Sequence, residues 1–155
     1  MANTYTQIYI HIVFTVQGRH NLLPKKHLEE LYKYITGILQ RREQKLLAIG
    51  GMPDHVHVFI GLNPKVALSD LIRDMKASSS GFINEQNWVS GRFRWQEGYG
   101  AFSYARSQVD QVCQYILNQE QHHNGRSFKE KYLDMLRKFA VVYDEQYLFD
   151  WVEEA

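Results

Sequence analysis

Cysteine is almost missing from this 155-residue chain. Cys113 stands alone, so no disulfide forms within the chain and a cysteine-based zinc site is excluded. Long hydrophobic runs are missing too. The longest, near residues 8–16, is interrupted by His11 and is far too short to span a bilayer. Met1-Ala2-Asn3-Thr4-Tyr5 shows no basic stretch leading into an apolar one, so no signal peptide is expected. Internal repeats and low-complexity linkers are also lacking. These absences predict a protein of a reducing, cytoplasmic compartment with no membrane segment. An overall excess of charge of one sign is lacking too, the net value being +1. That balance alone argues neither for nor against nucleic acid.

Apolar residues make up 45% of the chain and aromatics 14%, enough for a core and too many for a disordered chain. The length predicts one domain over residues 1–140 and a short acidic tail over 141–155. The tail carries five acids and no base. The body holds all 18 Lys and Arg against 12 acids, an excess of six that suits a partner bearing phosphates, though ordinary solvated surfaces share it.

Residues 6–16 alternate, with Ile8, Ile10, Ile12, Phe14 and Val16 on one face and Tyr9, His11, Val13 and Thr15 on the other, which predicts a strand. Pro24 opens a helix that carries Leu28, Leu31, Tyr32, Ile35, Ile38 and Leu39 at helical spacing and ends near Arg41-Arg42. Residues 45–49 and 55–62 read as strands joined through Gly50-Gly51-Met52-Pro53-Asp54, and residues 68–84 as a helix. The aromatic and glycine-rich stretch 92–104 reads as a strand reaching a loop. Ser107 and Asp110 form a capping-box pattern for a third helix to about His122, and residues 128–139 form a fourth. The expected class is α+β: a ferredoxin-like (RRM-like) antiparallel sheet with helices packed on one face, followed by a C-terminal helical part.

Two segments carry candidate chemistry. In Pro53-Asp54-His55-Val56-His57, strand alternation sends His55 and His57 to one face, Cα atoms about 6.5–7 Å apart, while Val56, Val58 and Ile60 enter the core. Two imidazoles on one strand suit a single metal ion; equally, they suit a sheet face that happens to be histidine. Histidine-triad hydrolases need a third histidine where Phe59 stands, cupins a nearby glutamate where Gly61 and Leu62 stand, and zinc proteases a helical pair. None fits. In Tyr115-Ile116-Leu117-Asn118-Gln119, the phenol and the amide lie four apart and share a helix face. A phenol beside a bound phosphate is a nucleophile once a cation or base assists it. A core aromatic is the plainer reading. His122-His123 suit a helix end or a third metal group, and His11 suits either the site or the core.

Together these segments resemble the small single-tyrosine HUH transposases, the IS200/IS605 group and the related REP-associated tyrosine transposases. The likeness extends to Tyr9-Ile10-His11-Ile12-Val13-Phe14-Thr15, Gly51-Met52-Pro53-Asp54, Leu68-Ser69-Asp70-Leu71-Ile72-Arg73-Asp74-Met75-Lys76 and Trp95-Gln96-Glu97-Gly98-Tyr99-Gly100. It implies that His55, His57 and Gln119 hold a divalent ion, Mg²⁺ or Mn²⁺, and that the C-terminal helix carries Tyr115 as nucleophile. That tyrosine attacks single-stranded DNA, leaving a 5′-phosphotyrosine link and a free 3′-hydroxyl. It also implies a homodimer whose tyrosine helix can complete the partner's site, and DNA ends recognised as hairpins. Arg19, Arg73, Lys76, Arg92 and Arg94 are the candidate phosphate contacts, and Trp95 and Tyr99 the stacking residues. Val16-Gln17-Gly18-Arg19 departs from the family's pattern by lacking a lysine, at the cost of one phosphate contact. The alternatives are a non-catalytic or domesticated nucleic-acid-binding protein on the same scaffold, and a metal-dependent hydrolase independent of Tyr115.

Overall fold

The computed structural model describes residues 3–18, 21–119 and 127–151. In chain order the elements are β1 (Tyr9–Thr15), α1 (Leu28–Arg41), β2 (Lys45–Met52), β3 (His55–Gly61), α2 (Leu68–Gln86), β4 (Gly100–Tyr104), α3 (Val109–Leu117) and α4 (Phe128–Lys138). The strands form one four-stranded sheet in the order β2-β3-β1-β4, and every pair is antiparallel. The first six elements give the ferredoxin-like arrangement.

The period-two pattern of β1 decides the layers. Ile12, Phe14 and Val16 join Val56, Val58 and Ile60 of β3 against Leu31, Ile35 and Leu39 of α1 and Leu71, Ile72 and Met75 of α2. Each fully buried aliphatic side chain contributes roughly 1.5–3 kcal/mol. The opposite face is covered as well, which helices on one face alone do not describe. There Ala48 and Phe59 pack with Val109, Val112 and Ile116 of α3, and Val13 and Phe102 with Phe128, Tyr132 and Leu136 of α4. Such two-sided cover explains why residues 55–60 of β3 are all buried.

Three local expectations are corrected. The strand expected over 92–104 is regular only from Gly100. Upstream, the chain meets the end of β1 at an isolated bridge between Val16, just past the strand, and Trp95, and then turns at Gly98, whose φ of +83° a strand does not accommodate. The capping box at Ser107 is replaced by a 3₁₀ turn, Arg106–Gln108, in which the Ala105 N–H donates to Gln108 Oε1 at 3.0 Å. Finally, β2 runs on through Met52, so the connection to β3 is only the turn Pro53-Asp54.

Part of the acidic tail is docked. Phe149 is 7% exposed and packs with Trp151 around Tyr132 of α4. The Gln96 amide clasps Asp150, donating to its carbonyl at 2.5 Å and accepting its N–H at 2.7 Å. Among the described residues, no helix is long and apolar enough to cross a membrane.

Candidate active site

β3 delivers His55 and His57 to one face of the sheet, both fully buried, with their rings edge to face at 4.9 Å between centroids. The two-residue turn before β3 places Asp54 beside them, and Asp54 Oδ1 lies 2.7 Å from His55 Nδ1. A carboxylate only accepts, so Nδ1 is the donor and the other ring nitrogen faces away from Asp54. That nitrogen, Nε2, lies 3.3 Å from Gln119 Oε1. The amide is oriented by its own N–H, which donates to the Tyr115 carbonyl at 3.0 Å.

In a neutral His55, Nε2 and Gln119 Oε1 therefore present lone pairs to one another. Only positive charge between them, a proton or a metal ion, makes that approach favourable. This donor chemistry fits a divalent cation. Among the described residues, no cluster of three or more His, Cys, Asp or Glu is arranged to hold a metal. An ion here therefore relies on the imidazoles of His55 and His57 and the Gln119 amide.

α3 brings the phenol. Tyr115 is half-buried, and its ring stands 80° to that of His57 with centroids 5.7 Å apart. The regular helix ends at Leu117, so Gln119 sits just past it and reaches back one turn. Close approach of α3 to the sheet depends on Gly50 of β2: a Cβ there would lie 2.5 Å from the Ile116 carbonyl oxygen. Tyr115 also lines a cavity of about 400 Å³ with Tyr104, Lys131 and Lys138. Burial raises the Tyr104 hydroxyl pKa, and neighbouring Tyr115 raises it further. A single chain thus unites His55, His57, Gln119 and Tyr115.

A family model described as "Transposase IS200 like" matches residues 4–119, which include all four of these residues. The chain belongs to the IS200-like transposase family. ISDra2 transposase TnpA of Deinococcus radiodurans is 23% identical over 120 residues, which span 73% of this chain and 84% of that protein. A crystal structure described as that of a transposase from Deinococcus radiodurans superposes with a TM-score of 0.61 at 22% identity, covering 77% of this chain and 95% of that one. A REP-associated tyrosine transposase bound to a REP hairpin gives 0.58 at 15% identity, covering 97% of this chain and 91% of that one. Both likenesses speak for the fold.

The candidate DNA contacts of this IS200-like transposase lie elsewhere, against α2. Arg73, Lys76, Arg92, Arg94, Trp95 and Tyr99 all line one groove of about 670 Å³; Arg19 falls outside the described residues, as do His122 and His123. Arg92 and Arg94 are exposed, and Arg73 is paired with Asp70 at 3.1 Å. Lys76 donates to the carbonyls of Gln96, at 2.7 Å, and Gly98. Burial pulls its pKa down to about 8, against the opposing charge of Glu97. Tyr99 is 39% exposed, whereas Trp95 is only 8% exposed. The indole N–H of Trp95 donates to Ser79 Oγ at 2.9 Å and its ring meets Phe14 edge-on, so the core engages most of it.

Of the further neighbours of the site, His11 was expected either here or in the core and lies here, whereas Phe128, Lys131 and Lys138 were not foreseen. His11 Nε2 lies 2.8 Å from His57 Nδ1, the Phe128 ring stacks on His55 at 3.8 Å, and Lys131 and Lys138 flank the tyrosine. The one signal in the sequence was the phase of β1, which sets His11 on the face opposite Ile12.

Proposed function

We propose that this transposase cleaves and rejoins single-stranded DNA through a covalent link to Tyr115. The observation that carries the reading is the convergence, within one chain, of two strand imidazoles, an amide oxygen fixed by its own N–H, and a phenol against one imidazole. The Tyr115 oxygen attacks phosphorus, the bond to the 3′-oxygen breaks, the phenol loses its proton and the departing 3′-oxygen gains one. The products are a 5′-phosphotyrosine and a 3′-hydroxyl. Attack by another 3′-hydroxyl reverses the step and joins strands, with no water consumed and no high-energy cofactor. Mg²⁺ or Mn²⁺ held by His55, His57 and Gln119 would neutralise charge on the nonbridging oxygens. All three donors are neutral, which keeps such an ion electrophilic. Imidazole alone would favour Zn²⁺ by affinity, so the choice of Mg²⁺ or Mn²⁺ rests on the family.

The groove lined by Arg73, Arg92 and Arg94 is assigned to DNA phosphates, with Tyr99 rather than Trp95 available for stacking. A hairpin ligand is supported by the relative bound to a REP hairpin. A homodimer, in which the tyrosine helix of one chain can complete the site of the other, is proposed from the family and is tested by sedimentation.

The deciding experiment incubates labelled hairpin oligonucleotides from the flanking DNA with Mg²⁺ or Mn²⁺. The wild type forms a denaturant-resistant adduct, and Tyr115→Phe binds the hairpin but forms none. An adduct formed by Tyr115→Phe removes Tyr115 from the role. Binding by the wild type with no adduct in either metal establishes the binding-only alternative.

A further inference from the structure

Resting on the metal-ligand reading of His55 and His57, we infer that His11 is a positioning residue: it accepts the Nδ1–H of His57 through its own Nε2 and so keeps a lone pair on His57 Nε2. The argument begins with the contact. His11 Nε2 and His57 Nδ1 are 2.8 Å apart, the rings are stacked at 4.9 Å, and the side chains are 1% and 0% exposed. Such a nitrogen pair shares one proton. If His11 donates it, His57 in its neutral form carries its hydrogen on Nε2 and cannot ligate. If His57 donates it, Nε2 is left bare.

Because His57 Nδ1 is already engaged by His11, Nε2 is the only nitrogen with which His57 can reach an ion. The two imidazoles are thus oriented by different partners. Asp54, an anion in the adjoining turn, sets His55. His11, an imidazole two strand positions along from the register partner of His57 on β1, sets His57. On the far side of His11, Nδ1 has no hydrogen-bond partner among the described residues. With Nε2 accepting, neutral His11 carries its hydrogen on Nδ1, where the described residues offer neither an acceptor for it nor a donor that would impose the opposite tautomer. Outer-shell partners of this kind typically alter metal affinity 10–100-fold when removed.

The test uses the full chain and Mn²⁺ as probe. His11→Phe keeps a ring between Phe102 and Tyr104, which lie 6.1 and 6.3 Å from it, and removes the acceptor. His11→Gln puts an acceptor back. The expected result is Mn²⁺ binding weakened about 10–100-fold in His11→Phe, with native near-ultraviolet dichroism, and largely restored in His11→Gln. A core role without tautomer control would show no such rescue. Nitrogen-15 shifts of His57 in the metal-free wild type supply a second readout that needs no variant. A hydrogen on Nδ1 is expected; one on Nε2 overturns the inference even if His11→Phe fails to fold. A folded His11→Phe that binds Mn²⁺ like the wild type overturns it too, leaving the metal site standing. A wild type that binds no Mn²⁺ defeats the metal-site reading itself, and this inference with it.

Discussion

Replacing Gly50 by alanine reaches the candidate site through backbone alone, without touching a functional side chain. The new Cβ would lie 2.5 Å from the Ile116 carbonyl oxygen and 3.3 Å from its Cγ2. Ordinary contact at that oxygen needs roughly 3.4 Å or more, so α3 must retreat from β2 by about 1 Å. A helix carbonyl cannot swing aside as a side-chain end can. Ile116 adjoins Tyr115 and lies three residues before Gln119, so both move with it. Overpacking of this kind costs about 1–3 kcal/mol. At roughly 2–4 °C per kcal/mol for a chain of this size, the melting temperature falls visibly. A displacement of about 1 Å lowers a geometry-dependent rate about a hundredfold. The assay is single-turnover adduct formation on a hairpin oligonucleotide. Equilibrium binding of the same hairpin should hold, because the groove against α2 is on the other side of the sheet. Gly61→Ala is the control, since its Cβ would meet only Lys45 side-chain atoms at 3.7 Å or more. Wild-type stability and adduct rate in Gly50→Ala would refute the claim that this glycine sets the position of the phenol and the amide.

Two further outcomes are expected. Because the Lys76 pKa is lowered to about 8, its charge drains as pH rises through that value instead of near 10.5. Hairpin affinity should then weaken between about pH 7 and 9, with the salt slope shrinking by roughly 0.7–0.9 per lost phosphate contact. Lys76→Arg should flatten that pH dependence; an unchanged profile would show that Lys76 serves only the carbonyls of Gln96 and Gly98. Gln96→Ala removes the clasp on Asp150 and the bond to the Val16 carbonyl at 3.0 Å. It should cost about 1–3 kcal/mol for the groups left unpaired, and limited proteolysis should then cut within residues 141–151. Resistance equal to the wild type would mean that Phe149 and Trp151 hold the segment without it.

Much of this was legible in the sequence because it depends on period. Alternation in β1 and β3 sorted core from site, and a spacing of four brought Tyr115 and Gln119 to one side. What stayed hidden depends on register and on close approach between distant segments. That His11 meets His57 follows from how β1 slides against β3, which neither strand encodes alone. The need for glycine at position 50 appears only when α3 is laid across β2. Phe128 read as the start of an amphipathic helix, with nothing local to say that its ring would cover His55. Gln108 displaced the Ser107 cap because a 3₁₀ turn preceded the helix, a choice made by the chain's path out of β4. The aromatic run at 92–99 carried strand-like residues, yet Phe93 and Trp95 bury their rings from a loop while Tyr99 stays exposed.

The placement of β1 between β3 and β4 has a consequence for how the molecule is made. Of the four strands, the one made first is among those that end up flanked on both sides. Its neighbours are about forty and ninety residues away, and until they emerge it offers two bare edges and an oily stripe of Ile10, Ile12 and Phe14. Assembly of the sheet is therefore a late event in synthesis, and the growing chain is most prone to self-association before Tyr104 has left the exit tunnel.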